Sequence, residues 1–168
     1  MSEQVALLDR AAWLYLNEVD AAALTILDQA FPELQLQAVA LADIRQDYYD
    51  LFCVPVSGRY LSPFESAQRE GRLWGSITYQ VAEWYALSGF NLGALTTSRI
   101  WHSQLIPDHI GYELAFYSAL LSLPDQHEQA AAFRSRHLLP WVLTYAEALH
   151  QKARTPVYRL LAELTMQV

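Results

Sequence analysis

Apolar residues recur at spacings of three and four along most of the chain, and proline and glycine divide that pattern into segments with helical periodicity. Residues 5–16 place Leu8, Ala12 and Tyr15 on one side, with Asn17 as the first breaker. Asp20 is placed to N-cap AAALTILDQA, which should stop at Phe31–Pro32 because a residue before proline is pushed out of the α region. The longest predicted helix covers residues 33–54, with Val39 or Leu41, Ile44, Tyr48, Leu51 and Phe52 on its stripe, and Pro55 ends it.

The stretch PVSGRYLSPFES is rich in turn residues, yet Ser62-Pro63-Phe64-Glu65 reads as a capped helix start: Ser at N-cap, Pro at N1, Glu at N3. RLWGSITYQVAEWYALSG follows, with Leu73, Ile77, Val81, Trp84 and Leu87 aligned and Gly89 as a stop. Residues 90–106 are read as mostly loop. Beyond Pro107 one stripe holds Ile110, Leu114, Tyr117 and Leu121, and a second holds Tyr112, Phe116, Ala119 and Leu123; a helix apolar on both sides belongs at the centre of a core. Further helices are expected from Asp125 to about Arg136, over 141–153 after a break at Pro140, and from Thr155-Pro156 to Thr165. No alternating strand with a hairpin turn is visible. The pattern predicts an all-α protein of about seven or eight helices, residues 1–168 forming a single domain without repeats or a Gly/Ser linker.

A chain of 168 residues is long enough for one core that buries roughly two-thirds of the unfolded surface. The five Trp and ten Tyr exceed what packing a helical scaffold requires, so some rings are candidates to line a groove. The net charge of −7 repels phosphate backbones and anionic lipid, which argues against nucleic acid and favours a basic peptide. The one cysteine, Cys53, sits in LFCV and reads as a small buried hydrophobe rather than a reactive thiol. Without a basic n-region, a cleavage site or a run of 18 apolar residues, the expectation is a soluble cytoplasmic protein with no stable membrane insertion.

Chemistry concentrates in LIPDHIGYEL. Asp108 beside His109, with Glu113 one turn on, could serve proton transfer or grip a metal; Asp108 could equally be the cap that starts the helix. The five histidines show no H-E-x-x-H or comparable spacing, so no metal site is expected, and no nucleophile elbow or phosphate-cradling glycine loop is present. On a continuous helix Trp74 and Trp84 would project about 80° apart, one toward the core and one toward a groove, although both could simply be packed inside. Gly71 and Gly75 flank Trp74, cost helix stability, and suggest close approach of another backbone.

The runs YLSPFESAQREGRLWG, LIPDHIGYELAFYSALL, FRSRHLLPWVLTYAEAL and TPVYRLLAELT, in that order, resemble the TorD/DmsD family of cytoplasmic chaperones for molybdenum oxidoreductases over about residues 48–165. The resemblance implies an all-helical, non-enzymatic maturation chaperone. It would bind the twin-arginine signal peptide and the apo form of a molybdoenzyme, delay export and assist molybdopterin insertion. It also implies weak GTP binding as the only cofactor-like activity, and a monomer or a domain-swapped dimer. The family's Pro-Asp-His motif falls on Pro107, Asp108 and His109, its groove aromatics on Phe64, Trp74 and Trp84, and its HLLPW stretch on His137 through Trp141. The acidic residue that often opens the motif is replaced by Leu105 and Ile106, and the N-terminal third matches only in helical character.

Together these readings place a peptide site on Phe64, Leu73, Trp74, Ile77 and Trp84 for the apolar part, with Asp108, Glu70 and the neighbouring Pro107 and His109 for the arginines. His109 would orient the carboxylate or sense pH. Two alternatives stay open: a small metal-dependent or acid–base hydrolase using Asp108, His109 and Glu113, and a helical adaptor without chaperone activity.

Overall fold

A computed structural model describes residues 3–168. Among them are ten α-helices and no strand: α1 (Glu3–Leu16), α2 (Ala21–Ala30), α3 (Leu41–Phe52), α4 (Glu65–Glu70), α5 (Ser76–Ser88), α6 (Arg99–Gln104), α7 (Ile110–Leu121), α8 (His127–Phe133), α9 (Val142–Lys152) and α10 (Pro156–Thr165). The all-α class is as expected. The six-residue α4 and α6 carry the number past seven or eight.

Local chemistry accounts for most boundaries. Asp20 caps α2, its Oδ1 accepting the Ala23 N–H at 2.8 Å. The predicted helix over 33–54 is shorter than expected, because Gln35 takes φ 47 and separates two 3-10 turns, Pro32–Leu34 and Leu36–Ala38, before α3 begins. Residues 90–106, read as mostly loop, hold a 3-10 turn and α6. α10 has the predicted bounds, but the Thr155 hydroxyl donates to Asp47 rather than accepting from the first turn. Buried Asp47 instead accepts the N–H groups of Arg154 at 2.9 Å and Thr155 at 2.7 Å and pairs with Arg59, so one carboxylate ties α3 to the entry of α10.

α7 is the central helix, as its two stripes predicted, with Ile110, Leu114, Phe116 and Tyr117 all buried. It packs along α1 so closely that a Cβ on Gly111 would stand 2.6 Å from Leu16 Cγ and 3.1 Å from the Ala12 carbonyl oxygen. Hydrogen bonds cross the core beside it: Tyr15 with Thr165 at 3.0 Å, Tyr48 to the Tyr15 carbonyl at 3.1 Å, and the Trp101 indole to the Tyr48 hydroxyl at 2.6 Å. Cys53 is half-buried, and burial pushes its thiol up to about 12, which fits an unreactive packing residue. Among the described residues no helix is long and apolar enough to cross a membrane.

Candidate functional site

The start of α7 and the start of α4 are stitched together by backbone. Glu65 donates to the Asp108 carbonyl at 2.9 Å and Ile110 to the Pro63 carbonyl at 2.8 Å, an isolated antiparallel bridge between Phe64 and His109. Asp108 does not cap its own helix. Its Oδ2 accepts the Ser66 N–H at 2.7 Å, so it caps α4, while α7 is capped by His109, whose Nδ1 accepts from the Gly111 N–H at 3.1 Å.

This corrects the expected surface presentation of the Pro107-Asp108-His109 motif. Asp108 is 0% and His109 1% exposed, and the Pro107 carbonyl accepts the Tyr85 hydroxyl at 3.0 Å. The His109 ring lies 4.4 Å from Trp101, 5.2 Å from Phe64 and 5.5 Å from Tyr112, centroid to centroid. Burial among these rings lowers its pKa to about 3, so it is neutral where an unperturbed imidazole titrates and cannot sense pH there. A buried carboxylate that already holds an amide has no route to a peptide arginine, and Phe64, itself buried, has no face for one.

The α4–α5 junction differs from its expectation in a second way. The helix expected from residue 72 begins only at Ser76, and Trp74 precedes it with φ 57, so no 80° relation to Trp84 exists. Gly71 ends α4 at φ 71. Glu70 then folds back over Gly75 to cap α5, accepting from Ser76 Oγ at 2.5 Å, Ser76 N–H at 3.2 Å and Ile77 N–H at 3.3 Å. A Cβ on Gly75 would meet Glu70 Oε2 at 1.7 Å, so what approaches Gly75 is a side chain, not the backbone that was expected. The bond from Ser76 leads the causes that hold the Glu70 carboxyl below its usual range.

The junction exposes apolar surface: Leu73 is 46%, Trp74 51% and Tyr79 64% exposed, with the Trp74 and Tyr79 rings 6.5 Å apart. Ile77 is buried, and Trp84 is half-buried against Phe133 at 5.7 Å and His137 at 6.3 Å. Of the residues assigned to the peptide site, Leu73 and Trp74 therefore reach solvent together. Tyr79 is an addition, hidden in the sequence because it lies off the α5 apolar stripe.

Three further acids are buried in the interior. Glu65, Asp108 and Glu113 are each 0% exposed. Glu65 pairs through Oε1 with Arg69, and its Oε2 lies 2.9 Å from His137 Nδ1. His137 belongs to a π-helical turn, Arg134–Leu138, that continues α8; such turns are frequent at functional sites. Glu113 lies against the Glu65 carboxyl and the Trp141 indole, which are its polar neighbours in the interior. Burial, then the Glu65 charge, push its pKa well above the usual carboxylate range. No group of three or more His, Cys, Asp or Glu among the described residues is arranged to hold a metal ion. Asp108 and His109 cap different helices and Glu113 faces Glu65, so the geometry gives no support to a joint hydrolytic site.

Residues 15–147 match the family model described as nitrate reductase delta subunit. The chain belongs to the nitrate reductase delta subunit family. This is the TorD-like chaperone family that the motifs resemble. No curated protein matches the sequence. A solved structure from Archaeoglobus fulgidus, described as a candidate redox enzyme maturation protein, superposes with a TM-score of 0.65 over 99% of this chain and 93% of that one at 19% identity, which establishes a shared fold. The family match begins within α1, so it takes in most of the N-terminal third, where the motifs had shown only helical character.

In this delta-subunit family chain, α4, α5, α7 and the π turn all fall inside the matched span, and a further feature joins them. A cleft of about 530 Å³ opens between α4 and α9, lined by Leu61, Gln68, Arg69, Pro140, Trp141 and Tyr145 among others. Arg69 reaches from its wall to Glu65 and also donates to the Arg136 carbonyl at 3.1 Å. Arg136 in turn donates to Gln80 Oε1 at 3.3 Å, linking the cleft to the helix that carries Tyr79.

Proposed function

We propose that this protein is a cytoplasmic, non-enzymatic chaperone that binds the twin-arginine signal peptide and apo form of a molybdenum oxidoreductase, holding the enzyme back from export while its molybdopterin cofactor is inserted. Membership of the nitrate reductase delta subunit family supports a maturation role for such an enzyme. The observation that carries the peptide-binding part is Trp74. A bulky residue at φ 57 is strained, and here it sits with its ring half out in solvent next to Leu73 and Tyr79. Folding alone would select glycine at that backbone and a polar side chain at that surface. An exposed apolar cluster suits the hydrophobic stretch of a signal peptide, and the net charge of −7 draws in a basic leader with a rate that falls as salt rises.

The test is titration of the full chain with a fluorescent twin-arginine peptide, beside a Trp74→Ala variant of native helix content. Loss of one anchoring aromatic should weaken affinity by roughly tenfold, equivalent to about 1.4 kcal/mol. Equal affinity in the two proteins, or no binding by the unmodified chain, rejects the reading.

A further inference from the structure

α1 and α2 form a hairpin that turns at residues 17–20, and an apolar groove of about 440 Å³ runs between them. α2 is an apolar helix that the core scarcely uses. Seven residues of AAALTILDQA are Ala, Leu or Ile, yet only Leu24 and Leu27 are buried, and Ile26 is 64% exposed. α10, of the same length, buries seven. An apolar helix so thinly covered presents a face for something else to bury. Ile26, Leu27 and the half-buried Trp13 line the groove, and charge is kept to its ends. Asp20 stands where the hairpin turns, and Asp9 lies about two helical turns back along α1. Both carboxylates are held in place, Asp20 Oδ1 by the Ala23 N–H at 2.8 Å and Asp9 Oδ1 by the Ser118 hydroxyl at 2.6 Å. Arg10, the cation of the lining, has its guanidinium over the Phe31 ring, 5.7 Å from the centroid.

We propose that this groove docks a short amphipathic helix of a partner polypeptide, one with an apolar face and a lysine or arginine at each end, at a site separate from the Leu73–Trp74–Tyr79 surface. The two acids choose the occupant. With about two turns of helix between them, cations about seven residues apart meet both carboxylates, and the apolar residues midway between those cations face the groove. There they cover Ile26 and the Trp13 ring. A helix with acidic ends is repelled at both, and a purely apolar one gains no register. The site does not depend on the leader-binding reading, since the groove is lined by α1, α2 and Asp20 alone and shares no residue with the Trp74 surface or the cleft beside α9.

The probe is a fluorescein-labelled, hydrocarbon-stapled helix with lysine at its first and eighth positions and leucine at its fourth and fifth, titrated into the full chain and followed by anisotropy. It should bind saturably, and the same helix with glutamate for lysine should bind at least about tenfold more weakly. Ile26→Ser removes apolar area from the groove without changing charge, and should weaken the lysine helix by about fivefold or more. Asp20→Asn keeps an oxygen for the Ala23 N–H, so α2 stays capped; it should weaken binding about threefold and make it less sensitive to salt. Trp74→Ala should leave the affinity unchanged. Equal affinity in Ile26→Ser, or a loss in Trp74→Ala, each with native helix content, overturns the groove. Binding of the lysine helix without binding of a twin-arginine leader rejects the leader reading and leaves the groove standing. Leader binding that depends on Trp74, with no saturable binding of the lysine helix, does the reverse. Leader binding lost in Ile26→Ser and kept in Trp74→Ala overturns both.

Discussion

Asp108 and Ser66 are joined by a 2.7 Å hydrogen bond from the Ser66 amide to the Asp108 carboxylate, across 42 residues of sequence and in the interior of the protein. The Asp108 carbonyl accepts the neighbouring Glu65 amide at 2.9 Å, so one residue supplies the acceptors for two N–H groups in the first turn of α4. A carboxylate there also suits the positive end of the helix. Without it the Ser66 amide is buried and unpaired. Asp108→Ala should therefore cost about 1–3 kcal/mol in urea unfolding. Asp108→Asn, which keeps an acceptor oxygen, should cost less, and neither folded variant should change peptide affinity. Native stability in Asp108→Ala would remove the capping role.

The pH dependence of stability should show two opposed contributions. His109 has its pKa lowered to about 3 by burial, so between that value and about 6.5 the unfolded chain binds a proton that the folded chain does not. Its contribution to stability is complete above about pH 6.5 and is lost as pH falls toward 3, with a slope of at most about 1.4 kcal/mol per pH unit. Glu113, raised by burial and by Glu65, has the opposite sign: the folded state holds the proton, and stability is lost as pH rises from the ordinary carboxylate range toward its folded pKa. His109→Gln should flatten the acid limb in denaturant melts from pH 4 to 8. Glu113→Gln, neutral at every pH, should gain stability over the unmodified chain increasingly toward pH 8.

Helical periodicity, Asp20 as a cap, the two-faced α7 and the bounds of α10 were readable in the sequence because each depends on residues within a few positions of one another. The site was less legible. The Glu65 to Arg69 spacing of four could have signalled an ion pair, but nothing local reveals that Glu65 lies against Glu113 and His137, which a different helix and a π turn bring to it. The Asp-His motif suggested surface chemistry, since the bridge that buries it comes from residues 63–65. Trp74 looked helical because its neighbour Leu73 suits the stripe; the Glu70 carboxylate, folding onto Ser76 and Ile77, starts α5 later than periodicity suggests.

Gly111 sets the distance between α1 and α7. Its missing side chain admits Leu16 Cγ and the Ala12 carbonyl to within 2.6 and 3.1 Å of where a Cβ would stand. Leu16 can shift a little, but the carbonyl belongs to α1 and cannot move without its helix. Alanine normally favours a helix over glycine by about 1 kcal/mol. Here overpacking of about 1–3 kcal/mol should outweigh that gain, and thermal melts of Gly111→Ala should fall below those of the unmodified chain. A rise in Tm would mean that the interface yields.

Trp74 sets stability against binding at one position. A non-glycine residue in the left-handed region costs roughly 1 kcal/mol, and half of the ring is in solvent, where burial returns little. Trp74→Gly removes that backbone strain at the expense of a more flexible unfolded chain, so the variant should be between equal in stability and about 1 kcal/mol more stable. The same substitution deletes the largest exposed ring of the Leu73–Trp74–Tyr79 surface and should weaken peptide binding at least as much as Trp74→Ala. A residue that lowers folding stability while strengthening binding is retained for the binding. Should Trp74→Gly instead unfold more readily with affinity preserved, the ring would be a packing element, and the peptide surface would have to lie elsewhere.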